Sequence, residues 1–460
     1  MPKRFVDSQG AAINSRKVAD FRDSLSGRAI LPEEEEYETA RRIWNASIER
    51  YPGLIVRCAD ASDVAKAVNF ARANHILVAV RGGGHNVGGR ALCDDGMVID
   101  LSMMREIRID LQARIVRAQA GCTLGDLDGA THAHGLTVPV GVISKTGIAG
   151  LTLGGGVGWL VRKYGLTCDN VLAFEVVTAN GEIVTASADA NQDLFWGLRG
   201  GGGNFGVVVE FTYRAHPVST VLGGLLVYAR EQAGQVLRLY RELIEKAPDE
   251  LTAYAALLHT PDGAPAVAII PCWCGDPEEG ERVLKPVREF GPPLMDAVQL
   301  IPFPQQQSML DDAFPNGNQN YWKSTFVRDF SDAAIDILVD HANRAPSPLS
   351  MIVIEFYGGA ASRIGPEETA FAQRQADYDV GILAQWPDWA DTDQNVAWTR
   401  AVFDALQPHA SGAFLLNFLD QEEDAVIRAS FGRNYERLVQ LKRKYDPDNF
   451  FRQNHNVRPS

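Results

Sequence analysis

The stretch Ile76-Leu77-Val78-Ala79-Val80-Arg81-Gly82-Gly83-Gly84-His85-Asn86 decides how the rest of the chain is read. Its first half is an uninterrupted apolar run with β-branched residues, the pattern of a buried strand. The run stops at an arginine, and three glycines follow before a histidine and an asparagine. Glycines in series let backbone come very close to a partner, and successive bare N–H groups suit a phosphate. A histidine at the mouth of such a turn can reach whatever the backbone cradles. The residues by themselves point to a nucleotide-type ligand beside one reactive imidazole.

Two further glycine-rich stretches repeat the theme. Lys145-Thr146-Gly147-Ile148-Ala149-Gly150 runs on into Gly154-Gly155-Gly156-Val157-Gly158. Leu198-Arg199-Gly200-Gly201-Gly202-Gly203-Asn204-Phe205-Gly206 contains a literal GxGxxG at Gly201, Gly203 and Gly206. A dinucleotide fingerprint of the Rossmann kind needs a helix after the glycines. Here Val207-Val208-Val209 follows, a strand signal, so a nicotinamide cofactor is not expected.

Bulk properties set the outer limits. The chain has 460 residues, of which 46% are hydrophobic and 22% charged, so an ordinary globular protein of two or three domains is expected. A formal net charge of −14 repels phosphate backbones, which argues against nucleic acid as a partner. Met1 to Asp23 holds no apolar signal region, and no run reaches about 18 apolar residues. The expectation is a cytoplasmic protein without a membrane partner. Six cysteines form no CxxC pair and do not alternate with histidines at zinc spacing, so buried thiols and no metal site are expected.

Local patterns predict an α+β protein. Ala59 to Asn74 has Asp60 or Ser62 as a helix cap and Val64, Ala67, Val68 and Ala71 on one face. Met97 to Leu101 and Val207 to Arg214 read as strands. Thr123 caps a helix to His132. Val171–Thr178 and Gly181–Thr185 form a hairpin around Ala179-Asn180-Gly181. Glycine clusters thin out after Pro217 and tryptophans become frequent. Glu422 to Tyr445 returns to helical spacing and ends at Asp446-Pro447. The expected organisation is a first domain over 1–217, an inserted domain over 218–421, and a segment over 422–460 that returns to the first. The acidic run Glu33–Glu36 reads as a solvated helix start.

Taken together, the three glycine stretches resemble those of berberine-bridge-enzyme-like oxidases, within the vanillyl-alcohol-oxidase and p-cresol-methylhydroxylase superfamily. The likeness extends from Ala40-Arg41-Arg42-Ile43-Trp44-Asn45, through Asp193-Leu194-Phe195-Trp196-Gly197-Leu198, to Lys444-Tyr445-Asp446-Pro447 and Asn454-His455-Asn456. Bacterial members of the 6-hydroxy-D-nicotine-oxidase type and polyketide-tailoring oxidases are the most similar. The resemblance implies a two-subdomain FAD-binding domain and an inserted α+β substrate domain, an antiparallel sheet flanked by helices. It implies oxidation of a small or medium amine, alcohol or secondary metabolite. Hydride passes to flavin N5, and O2 is the acceptor that yields H2O2. A monooxygenase on the same fold and a non-catalytic flavin-binding protein are the alternatives.

Residue roles follow from the same likeness. His85 is the implied covalent attachment point. Arg81, Gly82, Gly83, Gly84, Asn86 and Gly88 are expected at the pyrophosphate and dimethylbenzene edge. Thr146, Gly147 and Gly150 belong beside the isoalloxazine, Gly206 and Val208 at the adenosine end, and Asn454 and Asn456 near the flavin. Relatives with a second, cysteinyl link carry the cysteine where this chain has Gly147, so a single link is expected. For a proton-accepting group the inserted domain offers Tyr254, His259, Tyr321, Lys323, Glu355, Tyr357 and Tyr378, and the tail offers His455. Tyr321 and Lys323 together could stabilise an oxyanion. Glu355 sits in an apolar run, where a carboxylate needs a partner or a raised pKa. The strand expected over Gly412–Phe418 has Phe414 and Phe418 where carbohydrate-oxidising relatives carry tyrosine, which favours amine oxidation or the oxidation of an activated natural-product intermediate.

Overall fold

The computed structural model describes residues 5–375, 377–419 and 424–460. They form three sheets. In the first, Leu54–Arg57, Met97–Asp100 and Val78–Arg81 run parallel, with Arg28–Ile30 antiparallel at one edge. These strands are covered on both faces, which is why they read as continuous apolar runs. The crossover helix Ala61–Ala73 starts where the Asp60 side chain accepts from Asp63 N, and it buries Val64, Ala67, Val68 and Ala71.

The second sheet has five antiparallel strands, with Val207–Arg214 paired between Ile115–Gln119 and Val171–Val177. The strand after the GxGxxG match is therefore observed. Thr123 caps Leu124–His132 through a reciprocal box with Asp126. The third sheet has nine strands. Helices Ala233–Lys246, Asp332–Ala342 and Thr392–Leu406 pack on one of its faces. Its other face is turned toward the first two sheets.

The chain end rejoins the first two sheets. Leu438, Leu441, Phe451 and Val457 share one apolar cluster with Val78, Ile99 and Val209. A buried lysine anchors this segment: Lys442 Nζ donates to Asn204 O (2.8 Å), Phe451 O (2.8 Å) and Asp446 Oδ2 (2.7 Å). Asp446 in turn accepts from the Phe450 and Phe451 amides. Lys442→Met leaves Asp446 charged, buried and unpaired. We expect a loss of about 3–5 kcal/mol in denaturant unfolding.

Three expectations are revised. Glu33–Glu36 is not merely solvated: Glu34 pairs with Arg22 and Arg28, and Glu36 with Arg28 and Arg57. Gly412–Phe418 forms no strand: its pairing with Gln319–Val327 stops after Ser411 N to Phe326 O (2.7 Å) and Phe326 N to Ala413 O (3.2 Å), and the chain then closes into the short 3-10 turn Leu416–Phe418. The final helix is interrupted, as Asp424–Phe431 and Tyr435–Tyr445 are separated by a turn at Gly432. The expected boundary at 421/422 lies outside the described residues.

Candidate active site

A cavity of about 360 Å³ lies between the glycine loops and the open face of the nine-stranded sheet. One wall is backbone. An added Cβ at Gly83 would lie 2.6 Å from Gly147 Cα, and one at Gly147 would lie 2.7 Å from Gly83 Cα. The first two glycine stretches thus touch each other, main chain to main chain. The Thr146–Ile148 loop is held there by Leu124 N donating to Thr146 O (2.9 Å) and Ile148 N donating to Cys122 O (3.0 Å). Gly83 and Gly147 are glycine because of this crossing, a reason the sequence could not reveal. Gly147→Ala forces backbone apart, and we expect purified protein with little bound flavin by absorbance.

At Gly150 and Gly203 an added Cβ would meet nothing, and both residues line the cavity. Around the same space lie buried polar atoms without hydrogen-bond partners: His85 Nε2, Asn417 Oδ1, Asn454 Oδ1 and both His455 ring nitrogens. Bare backbone beside unpartnered donors and acceptors is the lining a large, flat, polar-edged cofactor requires.

His85 stacks on Trp44, with ring centroids 4.4 Å apart and 13° between planes. Trp44 is itself fixed by Nε1 donating to Phe314 O (3.1 Å). Protein surrounds the imidazole, although one edge opens on the cavity. Burial pulls its pKa down to about 4, so the ring is neutral at pH 7 and keeps a nucleophilic lone pair. His455 is likewise pulled down by burial, to about 3.

The opposite wall is a set of cross-strand rows. Trp322, Leu383 and Met351 form one row, and Gly381, Val353 and Ala256 the next. Asp379, Glu355, Tyr254 and Ile270 form a third. Large residues in the first row and small ones in the second make a trough, with carboxyls at its end. Glu355 is the one carboxylate among the described residues that line the cavity. Burial, then the Asp379 charge, push its pKa well above the usual carboxylate range.

Alternation along the strand separates the other candidates. Trp322 faces the cavity, so Tyr321 and Lys323 face the helices. Tyr321 Oη accepts from Arg400 Nε (3.3 Å), and Lys323 Nζ lies over the Phe403 ring. The pair therefore stands on the wrong side of the sheet for an oxyanion site. Tyr378 donates to Glu245 on that same far side (2.9 Å), and His259 sits at a strand end away from the cavity. Tyr357 lies beside Glu355, its Oη donating to Oε2 at 3.4 Å.

Among the cofactor candidates, Gly82, Gly83, Gly84, His85, Asn86, Thr146, Gly147, Gly150, Gly206, Val208 and Asn454 line the cavity. Arg81 does not. Its guanidinium donates to Asp100 Oδ2 (2.6 Å) and Ala40 O (2.6 Å), tying the strand end inward. Gly88 and Asn456 also lie outside the lining. The reading of residues missed Trp44, Asn417, Trp322 and Asp379. Asp379 had a usable signal, a single carboxylate at the start of the mostly apolar run Tyr378–Trp386.

Fold and site together define a flavin-dependent oxidoreductase. Comparison with known proteins agrees. A family model for the FAD binding domain matches residues 52–187, and one described as berberine and berberine like matches 415–458. An FAD-linked oxidoreductase of Dictyostelium discoideum is 34% identical over 447 residues, covering 96% of this chain and 97% of that protein. The (R)-6-hydroxynicotine oxidase of Paenarthrobacter nicotinovorans is 31% identical, covering 95% and 97%. The crystal structure of 6-hydroxy-D-nicotine oxidase from Arthrobacter nicotinovorans superposes with a TM-score of 0.88 at 28% identity, covering 95% and 99%. The chain belongs to the berberine-bridge-enzyme-like family of FAD-linked oxidoreductases, and FAD is its cofactor. Among the described residues no helix is long and apolar enough to cross a membrane.

Proposed function

We propose that this protein is a covalent-FAD oxidase acting on a small, largely apolar amine, with O2 as acceptor and H2O2 as product. The observation that carries the reading is the trough: aromatic and aliphatic side chains and one glycine in its first two rows, with the Glu355 carboxyl and the Tyr254 hydroxyl at its end. A sugar would leave many hydroxyls without partners on such a wall. A compact amine buries its carbon skeleton there and presents nitrogen to Glu355. In the same reading residues 1–217 and 422–460 form the FAD-binding domain and 218–421 the substrate domain.

His85 is the attachment point, its ring held in place by Trp44. Gly150 and Gly203 allow the backbone to lie against the cofactor, and Asn454 and Asn417 offer free carbonyl oxygens. When bound, FAD supplies a two-electron acceptor that O2 can regenerate. The chain's own contribution is orientation and proton handling. Trp322, Leu383 and Met351 confine the apolar part of the substrate. Glu355 takes the ammonium proton, so that the nitrogen lone pair becomes available.

The test is a panel of matched amines and alcohols, each scored for peroxide formed per substrate consumed. Turnover of aromatic or alicyclic amines with stoichiometric peroxide is expected. Turnover of alcohols alone, or oxygen from O2 incorporated into product, would overturn the reading.

A further inference from the structure

Glu355 is not alone at its end of the trough. Glu355 and Asp379 are direct partners across the strands Met351–Phe356 and Tyr378–Trp386, so both side chains leave the same face of the sheet. Side chains paired in this way stand close enough to interact strongly. Asp379 is 0% exposed and Glu355 only 5%. Among the described residues neither forms a salt bridge, and neither Asp379 oxygen has a hydrogen-bond partner of good geometry.

Among the described residues no positive charge is paired with either carboxyl. Leu251–His259 contributes Tyr254, whose buried hydroxyl is unpartnered. Gln319–Val327 contributes the Ser324 hydroxyl, and the chain just past Phe356 contributes Tyr357, whose phenol faces both carboxyls. Helix Ala233–Lys246 contributes Tyr240, whose Oη donates to Ala253 O at 2.9 Å. Arg162, packed over Phe356, gives its donors to Ile244 O and Ala247 O. Lys323 and Tyr378 lie across the sheet. From the cavity side come His85 and His455, both kept neutral by burial.

We infer that Glu355 and Asp379 form a carboxyl dyad that holds one proton and one negative charge between them, with Asp379 the positioning residue that lets Glu355 act as the base. Two carboxylates in contact in a low-dielectric interior do not both ionise. Burial raises both. When the proton resides on Asp379, Glu355 meets the cavity as an anion. An incoming ammonium R2NH2+ then gives one proton to Glu355. The dyad passes from one proton and charge −1 to two protons and no charge, and the amine is left neutral. No electron changes hands in this step. The Tyr357 hydroxyl, which faces both carboxyls, can carry the proton between them.

The inference rests on the reading of the cavity as the substrate site, but its test does not use turnover. Thermal unfolding of the holoprotein is followed from pH 4 to 8 for wild type, Asp379→Asn, Glu355→Gln and the double variant. A folded-state carboxyl pKa above its unfolded value leaves full stability below the unfolded pKa, and that stability is lost as pH rises through the folded one. In a dyad only one proton leaves over this range, whichever carboxyl remains. Measured against the double variant, which carries the protein's other titrations such as that of His455, each single variant is therefore expected to lose Tm with pH as steeply as wild type. If each single variant removes about half of the slope, the acids titrate independently and the dyad is overturned. If one single variant alone abolishes the slope, a lone acid is responsible, and the dyad is overturned in that case too. Should Asp379→Asn fail to fold, Asp379→Ser serves in its place. Wild-type turnover in Glu355→Gln would instead overturn the reading of the site and leave the titration result standing.

Discussion

Replacing Glu355 by glutamine is expected to lower kcat/KM for a protonated amine by about 10²–10⁴-fold, the usual contribution of a positioned general base. Glutamine matches the carboxyl in shape and keeps a hydrogen-bonding end, so packing in the row with Tyr254 and Asp379 is preserved. What disappears is the ability to take a proton. The loss should shrink as pH rises toward the amine's own pKa, where substrate arrives already neutral. Steady-state kinetics between pH 6 and 10 check this. A loss that stays constant across that range would mean that Glu355 shapes the cavity without accepting the proton.

The second large effect concerns attachment. In His85→Ala the flavin is expected to leave the polypeptide completely on acid precipitation, whereas in wild type yellow fluorescence should travel with the denatured band. The imidazole is neutral because burial disfavours its charged form, and it is held flat against Trp44. A lone pair is therefore presented in a fixed direction. Trp44→Ala should leave the histidine but loosen its aim, giving a mixture of attached and releasable flavin. Flavin retained by His85→Ala through denaturation would place the link on another residue.

Much of this fold was legible before any coordinates. Asp60 and Thr123 cap the helices they announced, because capping depends on residues a few positions apart. The strand after Gly206 was visible for the same reason: three β-branched residues in succession resist a helix. Contacts between distant segments were not legible. Arg81 looked like a phosphate ligand because its partner, Asp100, is on a neighbouring strand. Tyr321 and Lys323 looked promising as residue types, but only the sheet decides which face is wet by substrate. Asp379 gained meaning only when its register placed it opposite Glu355.

Main chain crosses main chain at Gly83 and Gly147, and the consequence is mechanical. A seam made of side chains can slip by changing rotamers, a little at a time. This one has no rotamers to change. The parallel sheet and the five-stranded sheet are clasped there like the two leaves of a locket, either shut or sprung. Chains in any preparation should accordingly sort into those with a complete flavin bed and those with none, and heating should change the proportion of the two without creating anything between.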